Sequence, residues 1–401
     1  MQPVYLDNNA TTRVDPSVVA AMLPFFTEQF GNASSTHAFG ADVAEAVRAA
    51  RRQLQALIGA AFDHEIVFTS GGTESDNAAI LAALEGQEEG RSEIVTTKVE
   101  HPAILALLAH LEKTRGVKVH LIGVDGTGRL DLDAYAAALG PRTALASVMW
   151  ANNETGTLFP VAELARMARD AGALFHTDAV QAVGKVPMDL KATAIDMLSL
   201  SGHKLHAPKG IGALYVRKGV KFRPFVRGGH QERGRRGGTE NVPAIVGLGR
   251  AAELALAHLE EERTRVRALR DHLQTALLAA IPCCRVNGDL ANRLPNTLNL
   301  AFDYLDGEAV LLHLNRAGIA ASTGSACTSG STEPSHVLKA MALPVIALHG
   351  ALRLSLSRET TAEEVERVIA ALPPIVADLR ERSPAWLARA DEDIPREAQH
   401  A

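Results

Sequence analysis

Cysteine is scarce in this chain. There are three in 401 residues: Cys283 and Cys284 side by side, and Cys327 alone. An odd count with an adjacent pair cannot make a disulfide framework, and it offers no Cys-x-x-Cys spacing for a metal. Long apolar runs are missing too, so no membrane span is expected. The opening stretch, "MQPVYLDNNATT", has neither the basic nor the apolar segment of a signal peptide. Neither sign of charge dominates. Lys plus Arg is 41 and Asp plus Glu is 46, giving −5. That balance gives no electrostatic reason to expect nucleic acid or an anionic membrane as a partner. Internal repeats and low-complexity tracts are absent. Together these absences lead to the expectation of a cytoplasmic protein with reduced thiols.

What is present is an ordinary globular balance, 47% hydrophobic and 22% charged, in a chain long enough for two domains. Helix and strand patterns alternate. "DPSVVAAMLPFFTEQF" opens with Asp15 as a cap and Pro16 at the first helical position. An amphipathic helix is expected from Ala38 to Ile58, stopping at Gly59. "EIVFTS", "EIVTT", "VKVHLI", "TALASVMW", "ALFHTDA", "IDMLSLS" and "GALYVR" read as buried strands separated by helices. That order implies an α/β protein with a largely parallel sheet covered on both faces. A periodic segment from about Val242 to Leu278 reads as a helix linking two domains, and strand and helix patterns resume on a smaller scale after it. The tail after Ser383 has little to bury and is expected to be loosely ordered.

Four stretches carry chemistry. "SLSGHKLHAPKG" frames Lys204 after a strand. Most loop lysines are surface residues, yet a lysine fixed at a strand end can form a Schiff base with pyridoxal phosphate. "EIVFTSGGTESDN" puts Ser70, Gly71, Gly72 and Thr73 between a strand and a helix start, where amides and the helix dipole favour a phosphate. Many such turns bind nothing. Asp178, in "LFHTDAVQAVGK", ends an apolar strand. A buried carboxylate must be paired, either by an Arg or Lys or by a protonated pyridine ring. His101, in "TTKVEHPAIL", stands before a helix started by Pro102. It is either a structural histidine or a flat group over such a ring. His203 and His206 have no third ligand spaced with them, so no metal site is expected.

In this combination and order the residues resemble the cysteine desulfurases, and within them the NifS-type members, of the class-V aminotransferase family. The resemblance runs from "VYLDNNATTRVD" to "LSLSRETTAEE", through "MLPFFTEQFGN", "VMWANNETGTLFP", "HTDAVQAVGKVP", "GHKLHAPKG" and "RGGHQERGRRGGTEN". It implies an aspartate-aminotransferase-like fold (fold type I): a large mixed-sheet domain over 15–255, and a smaller α/β domain made of 1–14 and 256–401. It implies pyridoxal 5'-phosphate as cofactor. Lys204 would carry it, Asp178 would hold its pyridinium nitrogen and Gln181 its phenolic oxygen. His101 would stack on the ring and assist proton transfers. Gly72 and Thr73, with the side chains of Ser201 and His203, would hold the phosphate. Thr239 would reach the phosphate of a partner subunit, which requires a homodimer. Asn153 would lie near the ring oxygen and the carboxylate of the L-cysteine substrate, and Arg353 would clamp that carboxylate.

Cys327, in "GSACTSGSTEPSHVL", would be the nucleophile on a mobile loop spanning about 322–334, taking the sulfur as a persulfide and leaving L-alanine. Thr323 and Thr332 depart from the pattern, which has Ser and Leu there. The sulfur would pass to an iron-sulfur scaffold protein, with Cys327 in transient contact with a scaffold-bound cluster, in nitrogenase maturation. Housekeeping desulfurases and selenocysteine lyases share these residues.

Overall fold

The computed structural model describes residues 3–87, 90–323 and 333–388. The chain opens on a two-residue strand, β1 (Val4–Tyr5). The large sheet then takes β2 (Ile66–Thr69), β3 (Glu93–Thr97), β4 (Lys118–Ile122), β5 (Thr143–Ser147), β6 (Leu174–Asp178), β7 (Met197–Ser201) and β8 (Gly212–Val216) in the order β2-β8-β7-β6-β5-β3-β4. Five neighbouring strands, β4 through β7, run parallel, while β8 runs antiparallel to both β7 and β2. The sheet is therefore mixed. β2, β3, β5, β7 and β8 are buried along their whole length and β6 beyond its first residue, whereas β4 at the edge is exposed or half-buried except at its last residue, rather than buried as its sequence suggested. The buried strands are rich in apolar and small polar residues, as a sheet covered on both faces requires. A second, antiparallel sheet joins β9 (Cys284–Val286) to β10 (Thr297–Phe302). After β11 (Ile319–Ala320), which pairs parallel with β1, β12 (Ala351–Ser355) completes it in the order β12-β10-β9.

Local signals set the helix boundaries. Asp15 accepts the Ser17 amide at 2.8 Å and starts the helix Pro16–Met22. The helix Ala38–Ile58 ends where Gly59 turns left-handed at φ 63°. A Cβ there would also lie 2.7 Å from the Asp189 backbone, so both conformation and space call for glycine. The segment expected as one linking helix is broken. Val242–Ala257 and Leu259–Ala280 meet at 55°, and the second begins with a π turn at Glu262–Val266. Charged side chains in the second half, paired within their own turns, hid that break from the apolar pattern. Pro384–Ala388 forms a short helix rather than loose chain: Trp386 packs edge-on to Tyr304 at 6.1 Å and under the Arg380 guanidinium at 4.0 Å.

Apolar clusters lie on both faces of the large sheet. A separate cluster gathers Val4 and Leu6 with Leu273, Leu300, Leu354 and Val368. The N-terminal strand is thus tied to the C-terminal elements, and the residues after it are carried across to the large sheet. Val337, Leu338 and Met341, late in sequence, pack into the core of the large sheet.

Candidate active site

The parallel strands end together on one side of the sheet. β3 connects outward to β4, while β5 lies on its other flank, so the winding reverses between β3 and β5. Such a crevice is where open α/β sheets bind ligands. Here it is a cavity of about 320 Å³. Ten of the residues singled out in the sequence line it: Gly72, Thr73, His101, Asn153, Asp178, Gln181, Ser201, His203, Lys204 and Arg353. Thr239 does not. It is exposed, outside the cavity of its own chain. Cys327 lies outside the described residues, as does most of the 322–334 segment.

Each lining residue is placed by its element. Gly71, at φ +155°, lets the chain turn from β2 into the helix Gly72–Gly86. Gly72 has no room for more, since a Cβ would lie 2.9 Å from Val180 Cγ2. The first amides of that helix are therefore open to the cavity at the positive end of its dipole. Glu74 in the same turn accepts the Ser70 amide at 2.8 Å and pairs with Arg236 at 3.0 Å, which removes its charge as a competitor for an anion. His101 caps the helix Pro102–Arg115, its Nδ1 accepting the Ala103 amide at 3.1 Å. An acceptor Nδ1 is unprotonated, so the ring is neutral with its hydrogen on Nε2. Burial, foremost, with the nearby charges of Lys204 and His336, lowers the His101 pKa and outweighs the opposing pull of Asp178.

Lys204 follows β7 in a single 3₁₀ turn, Gly202–Lys204. Its Nζ donates to the carbonyls of Asn9 and, at 2.7 Å, Ala10. Asp178, at the end of β6, accepts the Val180 amide at 2.9 Å. Burial raises its pKa, opposed by the His101 ring when that is protonated, by the Val180 amide and by the Lys204 ammonium. Arg353 on β12 pairs with Asp7 at 2.7 Å and donates to the Asn153 carbonyl at 3.0 Å. Its buried Nε has no hydrogen-bond partner among the described residues.

Several residues at the site were not legible as functional in the sequence. Asn9 is a hub. Its carbonyl receives both Lys204 and Gln181, and its side chain donates to Thr297 and to the Asn153 carbonyl. The signal was the polar string "DNNATT" directly after a strand. Beneath the cavity His176 and Asp178, two apart on β6, share a face. His176 bonds Ser147 and Ser199, both at 2.9 Å, and lies 3.6 Å from Asp76. Burial holds that histidine neutral, its pKa lowered to about 3. Asp76 is fully buried, and its pKa is raised by desolvation first and the Asp178 charge second. Glu100, just before His101, accepts from Thr97 Oγ1 at 2.8 Å and the Met149 amide at 3.0 Å, while its Oε2 has no partner. Burial pushes its pKa up to about 8. Three carboxylates thus crowd one dry region beneath an amine, a neutral imidazole and a helix N-terminus.

The chain was compared with known proteins. Residues 4–368 match the model of the family described as aminotransferase class-V. A cysteine desulfurase of Gluconacetobacter diazotrophicus is 71% identical over 386 residues, 96% of each chain. The cysteine desulfurase NifS of Azotobacter vinelandii is 61% identical over 398 residues, covering 99% of this chain and 98% of the relative. A solved structure titled as a NifS-like protein superposes with a TM-score of 0.88 at 37% identity, covering 94% of this chain and all of that one. A family match over this span, with relatives this similar along their whole length, means that the chain belongs to the class-V aminotransferase family, among its NifS-type cysteine desulfurases.

Proposed function

We propose that the cavity binds pyridoxal 5'-phosphate through Lys204, and that the enzyme passes the sulfur of L-cysteine to Cys327 as a persulfide, with L-alanine released. The observation that carries this reading is Asp178, a buried carboxylate with no guanidinium partner among the described residues, lining a cavity that also holds Lys204 and a helix N-terminus. The donor set fits the group. Asp178 suits a protonated ring nitrogen, the Gln181 amide an anionic ring oxygen, and the Gly72 and Thr73 amides with Ser201 and His203 a phosphate. Bound there, the cofactor supplies an electron sink for the Cα of an amino acid.

The chain's own residues do the rest. Asp178 keeps the ring nitrogen protonated. Lys204 moves the proton at the substrate Cα, and its seat on the Asn9 and Ala10 carbonyls suits the ammonium it becomes. His101, neutral and capped, gives a flat face for stacking and an Nε2 hydrogen for proton transfer. Arg353 and Asn153 hold the substrate carboxylate. The Cys327 thiolate forms a bond to the substrate sulfur as the C–S bond breaks. The electron pair of that bond stays with the carbon, which takes a proton and becomes the methyl group of alanine.

The working unit in this reading is a cytoplasmic homodimer, with Thr239 reaching the partner's phosphate. The exposed rings of Phe30 and Phe39, 5.8 Å apart, with Leu23 and Phe26 also exposed in the same stretch of chain, support it, because exposed apolar patches mark protein contacts. The sulfur goes to a scaffold protein for iron-sulfur clusters, in nitrogenase maturation, a role supported by the resemblance to NifS. The test is a visible spectrum of the purified protein with and without L-cysteine, followed by assay of alanine and sulfide. A colourless protein, or pyruvate in place of alanine, would refute the reading.

A further inference from the structure

A second lysine stands behind the cavity. Lys185 is buried at 7% exposure, four residues after Gln181. Its Nζ donates to the Gln181 carbonyl at 3.2 Å and to the Gln181 Oε1 at 3.4 Å. At the other end of the same amide, Nε2 donates to the Asn9 carbonyl at 3.0 Å. An ammonium only donates and a carbonyl only accepts, so the two contacts fix which way the amide faces. Turned over, it would set NH₂ against the ammonium and oxygen against the carbonyl. As it stands, the remaining N–H of Gln181 is the one left for the cavity.

The charge on Lys185 has its own support. Burial lowers its pKa to about 8, and the nearby carboxylate of Glu262 opposes that. Glu262 is itself buried and receives a backbone hydrogen bond from Arg358, while its Oε2 has no hydrogen-bond partner among the described residues. Both residues line a small cavity of about 20 Å³ that also touches Lys204 and His206. That volume holds a single water, which needs polar neighbours such as these. Glu262 opens the π turn just past the bend between the two long helices, and single π turns recur at functional sites.

We propose that Lys185, linked to Glu262 by one water in this small cavity, is a positioning residue that holds the Gln181 amide with its NH₂ toward the ring-oxygen position. The inference rests on the role given to Gln181 above. It adds that the role depends on a lysine outside the main cavity and on the bend between the two helices.

The experiment is a double-mutant cycle on the holoenzyme: Gln181→Ala, Lys185→Met and the two together. The readout is the rate at which cofactor leaves, followed by loss of visible absorbance in the presence of an apo-enzyme trap. Lys185→Met should speed release about five-fold, the order expected for one intramolecular hydrogen bond. The double variant should release no faster than Gln181→Ala alone. Where Lys185→Met leaves Glu262 unpaired and the protein fails to fold, Lys185→Met with Glu262→Gln carries the same test on a neutral pair. Wild-type release in the lysine variant, with fast release in Gln181→Ala, overturns the inference and leaves the reading of Gln181 standing. Additive effects also overturn it, because Lys185 would then act independently of Gln181. Wild-type release in Gln181→Ala overturns both.

Discussion

Glu100→Gln should stabilise the cofactor-free protein, and the gain should grow as pH rises. In the fold the carboxyl keeps its proton up to a pKa of about 8, against the ordinary 4.5. At pH 7 the unfolded chain is therefore ionised at this residue and the folded chain is not. Holding the proton costs about 3 kcal/mol at that pH, from 1.4 kcal/mol for each pH step between 4.5 and 7. For an acid with a raised folded pKa the penalty is absent below 4.5, grows with pH, and is complete above 8. Stability from this group is thus lost as pH rises through that window. Glutamine has the same shape and no charge. Its Oε1 can still accept from Thr97 and Met149. The new NH₂ lacks a partner, as Oε2 does in the parent, so those desolvation costs nearly cancel. For a chain this long, 1 kcal/mol moves Tm by about 1 °C. The variant should melt about 3 °C above the parent at pH 7 and about 1 °C above it at pH 5.5, by calorimetry on the apo-protein. An equal gain at both values, or a lower Tm at pH 7, would show that Glu100 is ionised in the fold and that its burial is compensated in some other way.

Other outcomes follow from the proposed chemistry. Lys204→Ala should abolish turnover and the visible band of the covalently held cofactor; near-normal alanine production would remove Lys204 from the mechanism. Asp178→Ala should cut turnover by about 100-fold or more, the scale of losing a preorganised electrostatic contact, and a change within about three-fold would leave it a structural residue. Cys327→Ser should keep the visible band and still bind L-cysteine, yet release no sulfide, whereas Cys283→Ala with Cys284→Ala should stay active. Alkylation after L-cysteine treatment, followed by mass spectrometry, locates the persulfide. Finding it on Cys283 or Cys284 would rule out Cys327 as the acceptor.

The sequence was most informative where one residue decides a backbone conformation or where burial is complete. Gly59, Pro102 and Asp15 mark helix ends that the fold keeps. The inner strands of the large sheet, buried on both faces, show as short segments of apolar and small residues, while the more exposed edge strand β4 reads much the same and was not told apart from them. The site residues were legible as types in order: a lysine after one strand, an aspartate ending another, glycines before a helix. Their convergence was not, because it depends on strand order, and β8 runs against its neighbours without leaving a mark in its own composition. Asn9 was illegible for a related reason. Its partners Thr297, Asn153 and Lys204 lie 144 to 288 residues away. The bend after Ala257, with the π turn that follows it, was hidden because the charges around it satisfy one another locally and leave the helical period intact.

The buried acids beneath the site form one electrostatic problem. Asp178 on β6 must stay ionised to hold a proton on a ring nitrogen. Asp76, on the helix Gly72–Gly86, is repelled by it in the same buried region, and Glu100 adds to the repulsion felt by Asp76. Three ionised carboxylates in that volume would repel one another and lack water. The fold therefore favours protons on the two that the proposed chemistry does not use. Glu100 is pushed to about 8, and Asp76 is raised by desolvation and by Asp178 itself. His176 cannot supply the missing positive charge, because its two nitrogens are engaged by serines and burial keeps it neutral. The compensating charge for Asp178 must come from the cavity side. Lys204 provides part of it in the chain alone, and a protonated pyridine ring would provide it directly. On this argument the chain alone leaves the Asp178 charge only partly compensated, so that under the proposed chemistry a cationic ring would bind in preference to a neutral one, and the protons on the acids around it limit what that arrangement costs the fold.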